Sequence, residues 1–153
     1  MVHPIRVLRV ASAGIILLAA SCSTAASTVT GPVEGAFRLV SARVTPGEIE
    51  MLDITAELTN AGTVPLRSGG CLRPDLAIDF AAPGGWTALD VLQTGELVLC
   101  IQAFTLGPGA SQQFTTAFRR KQGFDIFPRG VPLRLRVLPI PTGDGPTLPF
   151  TIQ

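Results

Sequence analysis

Apolar and polar residues alternate one for one along most of this chain, in short runs broken by glycine, proline and asparagine. A period of two puts successive side chains on opposite faces, the pattern of a strand with one buried face. The cleanest run is Leu52, Ile54, Ala56 and Leu58, interleaved with Asp53, Thr55, Glu57 and Thr59 and closed by the turn Asn60-Ala61-Gly62. Phe37 to Val44 reads as another strand, with Val40, Ala42 and Val44 on one face. Leu76 to Phe80, Trp86 to Leu92, Leu97 to Leu106, Phe114 to Phe118, Val131 to Val137 and Leu148 to Ile152 complete the set. Turns are marked by Pro83-Gly84-Gly85, by Gly107-Pro108-Gly109 and by the stretch Pro139 to Pro146. No helical period survives ~12 residues without a glycine or proline to break it. Half-buried strands need a second sheet over their apolar faces, so roughly seven or eight of them predict an all-β, antiparallel β-sandwich.

Residues 1–21 follow a different rule. Arg6 and Arg9 precede an apolar run from Val10 to Ala20, and Leu18-Ala19-Ala20-Ser21 leads into Cys22. The run is well short of the ~20 residues that span a bilayer, and it has the layout of a cleaved export signal. The small residues before a cysteine resemble the lipobox of bacterial lipoproteins, although Ala19 stands where leucine is commonest. That resemblance implies a signal peptide at 1–21, with Cys22 S-diacylglycerated and at the mature N-terminus. The lipid would attach the protein to a membrane. Ser23 lacks the aspartate that retains enteric lipoproteins in the inner membrane, which points to the outer membrane and periplasm of a Gram-negative cell. In a Gram-positive cell the outer face of the cytoplasmic membrane is the place. Ser23 to Gly35 is rich in Ser, Thr, Ala and Gly and reads, with Cys22, as a flexible tether over 22–35. The remaining 36–153 is one domain, without internal repeats.

Losing the signal changes the chemistry. Lys+Arg falls from 12 to 10 against 11 acids, and the only histidine, His3, goes with it. The balance is no footprint for nucleic acid. Without imidazole, Ser-His-Asp and Cys-His nucleophiles and His-based zinc or copper sites are excluded. The chain has no tyrosine either. A non-catalytic protein without a cofactor or metal is the expectation. With Cys22 taken by lipid, Cys71 and Cys100 form an even pair in an oxidising compartment. Their disulfide would close a loop of about 30 residues, worth roughly 3–4 kcal/mol on the chain-entropy model.

Leu58-Thr59-Asn60-Ala61-Gly62 through Pro65-Leu66, the turn Leu106-Gly107-Pro108-Gly109-Ala110-Ser111 with Phe114, and Gly130-Val131-Pro132-Leu133 resemble the Bacillus intracellular proteinase inhibitor family. The likeness runs from about Phe37 to Leu138 and rests mainly on turn residues. It departs from the family at Phe118, where a tryptophan is usual, and at Leu133, which replaces a tyrosine. The resemblance implies an immunoglobulin-like sandwich and, as an alternative function, inhibition of an envelope protease.

Six of the ten mature cations fall between residues 119 and 136: Arg119, Arg120, Lys121, Arg129, Arg134 and Arg136. Phe124 and Phe127 lie among them in an apolar loop. Together they are the candidate contact surface for an envelope protein or an anionic glycan or lipid. Glu48, Glu50, Asp53, Asp75, Asp79 and Asp144 read as strand-face and turn acids, and Trp86 as a core residue packed near the disulfide.

Overall fold

The computed structural model describes residues 27–32, 35–94, 102–121 and 126–153. Among them the chain is all-β, without a helix. Its strands are β1 (Val29–Thr30), β2 (Phe37–Thr45), β3 (Met51–Thr59), β4 (Leu66–Ser68), β5 (Leu76–Ala82) and β6 (Gly85–Ala88). They continue with β7 (Val91–Thr94), β8 (Phe104–Leu106), β9 (Ser111–Arg120), β10 (Pro132–Val137) and β11 (Thr147–Ile152). All pair antiparallel, in a five-stranded sheet ordered β1-β11-β10-β5-β6, a four-stranded sheet β2-β3-β9-β7 and the small pair β4-β8.

The inward rows of the two larger sheets form one apolar cluster. Leu52, Ile54, Ala56 and Leu58 of β3 are fully buried, as the alternation predicts. On β9, Phe118 stands beside Leu52, Thr116 beside Ile54 and Phe114 beside Ala56. Ile78, Leu133, Leu135, Val137, Leu148 and Ile152 supply the other sheet's buried row. Each large apolar side chain removed from water contributes about 1.5–3 kcal/mol, so these rows carry the stability of the domain.

The structure differs from the sequence reading in several places. In β2 the register slips between Leu39 and Ser41, an irregularity that leaves Val40 as the extra residue. The slip reverses the parity of the strand: Phe37 and Leu39 point inward before it, Val44 after it, and Val40 is 43% exposed. The run Trp86 to Leu92 is two strands rather than one, because β6 pairs with β5 while β7 pairs with β9. Leu89 and Asp90 carry the chain between the sheets, with Leu89 buried and its N–H donated to the Ile78 carbonyl at 2.7 Å. Of Leu97 to Leu106, only Phe104–Leu106 is a described strand, and residues 95–101 lie outside the described residues. Finally, Val29 and Thr30 pair with Ile152 and Thr151, so the predicted tether includes a short strand.

Polar residues secure the turns. Asn60 is buried, and its Nδ2 donates to the carbonyls of Val64 (2.8 Å) and Leu106 (2.9 Å) while its Oδ1 accepts from the Gly62 N–H. Ser68 is fully buried, donating to the Leu138 carbonyl and accepting from the Asp75 N–H, both at 2.8 Å. Gly145 is required by close approach, since a Cβ there would run into the Val137 carbonyl.

Replacing Phe118 by Ala should cost about 3–5 kcal/mol, because the cavity opens between two rigid β-sheets. Urea denaturation checks this: the midpoint should fall while the slope stays constant.

Candidate functional site

The outward face of the five-stranded sheet gathers the most unusual side chains of the protein. Register sets them in a row: Arg134 of β10 lies opposite Asp79 of β5, Asp79 opposite Ala88 of β6, and Trp86 opposite Ala81. Arg136 follows Arg134 on the same face, two residues on. The neighbours of Asp79 along β5's outer row, Ala77 and Ala81, are small, so the long arginine and tryptophan side chains can lie across the sheet rather than stand away from it.

Two guanidinium groups close on one carboxylate. Arg134 Nε donates to Asp79 Oδ2 at 2.8 Å, and Arg136 donates through Nε to the same oxygen at 3.0 Å and through Nη2 to Oδ1 at 3.3 Å. Asp79, read from sequence as a strand-face acid, lies on that face but is only 2% exposed. Burial favours its neutral form, but the hydrogen bonds from Arg136 and Arg134 and their positive charges outweigh burial and hold its pKa below the ordinary carboxylate value. In return Asp79 raises the Arg136 pKa, against burial and with help from the charge of Asp144. The Arg134 guanidinium also lies 4.6 Å from the centroid of the Trp86 ring, within cation–π range. Trp86 is not in the core: it sits on an edge strand and is 43% exposed. On the other side of Arg134, an open depression of about 390 Å³ is lined by Thr30, Pro132, Pro149 and Thr151.

The remaining predicted contact residues, among those described, do not form one surface. Arg119 is exposed on the outward row of β9, while Arg120, on the inward row, is 7% exposed. Burial lowers the Arg120 pKa from the ordinary guanidinium value, opposed by the charge of Asp90. Lys121 Nζ pairs with Asp90 at 2.6 Å. Arg129 Nη2 pairs with Glu50 Oε1 at 2.6 Å, and Glu50 Oε2 accepts the Phe127 N–H at 2.9 Å. Arg129 Nη1 also donates to the Phe127 carbonyl at 2.7 Å. Glu50 is therefore a buried anchor rather than a turn acid, and Phe127 is a fully buried plug rather than a contact residue. Among the described residues of that loop, the exposed large apolar one is Ile126. Phe124 lies outside the described residues, as do Cys22 and Cys100. Cys71 is half-buried in the bend after β4.

Sequence reasoning placed Arg134 and Arg136 on one face but missed Asp79 and Trp86 as their partners. The parity of Leu76, Ile78 and Phe80 had already put Asp79 on the outward row. The missing information was that β5 pairs with β10, a pairing no local pattern encodes.

No family model, curated protein or solved structure matches this chain.

Asp79→Asn should destabilise the domain by about 2–3 kcal/mol at pH 7, since it leaves two adjacent guanidinium groups without their counter-charge. Because the folded-state pKa of Asp79 is depressed, its contribution is complete above the ordinary carboxylate pKa and is lost as pH falls through the folded-state value. Urea denaturation at pH 7 and at about pH 2.5 should show the wild-type advantage over Asp79→Asn shrinking in acid.

Proposed function

We propose that this chain is a non-catalytic binding module, held at a bacterial envelope membrane by a lipid on Cys22. The observation that carries this reading is Trp86, 43% exposed and braced by the Arg134 guanidinium on the face of a sheet. Tryptophan and arginine are the side chains that most often dominate binding energy, and a sheet face presents them at little entropic cost. The lack of any histidine after His3 agrees with a role in binding.

The same reading makes the fold an immunoglobulin-like sandwich. The order β2-β3-β9-β7 matches the A-B-E-D sheet of that fold, and β11-β10-β5-β6 matches the strands G-F-C extended by C′. It also pairs Cys71 with Cys100. Phe104 donates its N–H to the Gly70 carbonyl, so the segment following Cys100 runs beside the one that carries Cys71. From Cys22 to Val29 the chain can extend at most about 25 Å, which would hold the domain close to the bilayer.

One observation favours the alternative, inhibition of an envelope protease. The loop Ala61 to Pro65 is braced from below by the Asn60 side chain and presents Val64 at 69% exposure. A rigid, exposed loop is what a protease inhibitor offers to an active site.

Crosslinking of the full-length lipidated protein in its own envelope, with Cys22→Ser as control, tests the main reading. The wild type should fractionate with membranes and capture a defined envelope component, and Cys22→Ser should be released from the membrane. Fractionation of the wild type with soluble proteins, or catalytic turnover by the purified protein, would overturn it. Inhibition of an envelope protease that Val64→Asp weakens at least tenfold would establish the alternative.

A further inference from the structure

The larger sheets have four edges, and they differ. The β2 edge carries the irregularity at Val40 together with Arg38 and Arg43, devices that discourage strand addition. The β1 edge is two residues long. The β7 edge is covered: Arg73 Nη2 donates to the Thr94 carbonyl at 2.6 Å, and the Gln93 side chain bonds to Leu76 and Pro74. β6 has none of these. Gly85, Trp86, Thr87 and Ala88 are all exposed, contain no charge or proline, pair without interruption to β5, and have no hydrogen-bonded neighbour on the other side among the described residues.

Beside that edge lies a guanidinium with donors to spare. Arg134 and Arg136 share the carboxylate of Asp79, while Asp144 adds its charge beside Arg136. Among the described residues Arg134 makes its one side-chain hydrogen bond through Nε, and its two Nη groups make none. Its guanidinium reaches from β10 over β5 to the Trp86 ring on β6. A strand added to β6 would place a side chain opposite Trp86 with Cβ atoms about 4.5–5.5 Å apart, within reach of that guanidinium.

We propose that β6 is the docking edge for an extended segment of a partner protein, added as a sixth strand, with an acidic side chain set against Arg134 beside Trp86. Main-chain hydrogen bonds to Gly85–Ala88 would supply affinity, and the carboxylate would supply choice of partner. A second copy of this chain fits less well, because pairing β6 to β6 would turn one Arg134 guanidinium towards another and supply no carboxylate between them. The inference rests on the proposed binding role and names the partner's chemistry.

The test uses the full chain in detergent micelles, labelled with ¹⁵N. The probe is the capped peptide acetyl-Thr-Val-Glu-Val-Thr-amide, compared with its Gln counterpart. Saturable shifts confined to the Gly85–Ala88 amides and the Trp86 indole are expected, about tenfold weaker for the Gln peptide. Arg134→Gln should remove the preference for Glu while near-ultraviolet circular dichroism stays native. Equal binding of the two peptides, shifts centred elsewhere, or no saturation by about 5 mM peptide would overturn the inference. Concentration-dependent dimerisation abolished by Trp86→Ala would also overturn it, in favour of a second copy. An envelope partner captured equally by wild type, Trp86→Ala and Arg134→Gln would overturn the β6 inference yet leave the binding role standing.

Discussion

The two-residue alternation of the strands assigns every side chain of the larger sheets to one of two layers, and the rest of the structure follows from that division. The inward rows of β3 and β9 meet those of β5, β10 and β11, and the apolar cluster between them is continuous. A polar residue on an inward row must find a partner there or sit at its end. Thr116 does the first, with its hydroxyl bonded to the Gln93 amide at 3.0 Å. Arg120 sits at the last position of β9, beside Asp90. The outward rows are freer, yet here too a covered charge is compensated, as at Asp79.

This is why the count of cations misled where their pairing did not. Six positive residues between 119 and 136 suggest a basic field when read along the chain. In space Lys121 meets Asp90, Arg129 meets Glu50, and Arg134 and Arg136 meet Asp79. Each acid comes from a distant segment of sequence. Among the described residues the field that remains is small and local: Arg119 on one face, and the Nη groups of Arg134 on the other. Glu50 illustrates the same point for the loop. One carboxylate holds both Arg129 and the backbone of Phe127, and the phenyl ring of Phe127 then closes the end of the core.

What the sequence made legible was what one strand can say about itself. The alternation of β3, the inward rows of β5, β9, β10 and β11, and most of the turns follow from period and punctuation alone. What it hid depended on two strands at once. Val40 reads as an inward residue until the slip against β3 is known, and Trp86 to Leu92 reads as one strand until its halves are seen to pair with different sheets. β4, too short to show a period, exists through its pairing with β8. Trp86 was assigned to the core by analogy with other sandwich folds, and its place was decided by the edge position of β6 and by the arginine that its ring could shelter.

The edge position also bears on how an anchored domain could meet a partner. In the five-stranded sheet the chain enters at β1 and the open edge is β6, at opposite ends of the order β1-β11-β10-β5-β6. Four inter-strand spacings of about 4.8 Å separate them, close to 19 Å. In the proposed arrangement the tether before β1 extends no more than about 25 Å, so β6 stays within a few nanometres of the bilayer. A lipid on Cys22 would then raise the effective concentration of the edge towards segments of membrane-bound neighbours. That matters for a strand of four residues: so few main-chain hydrogen bonds give modest affinity, and confinement to the same surface is what makes a modest affinity sufficient.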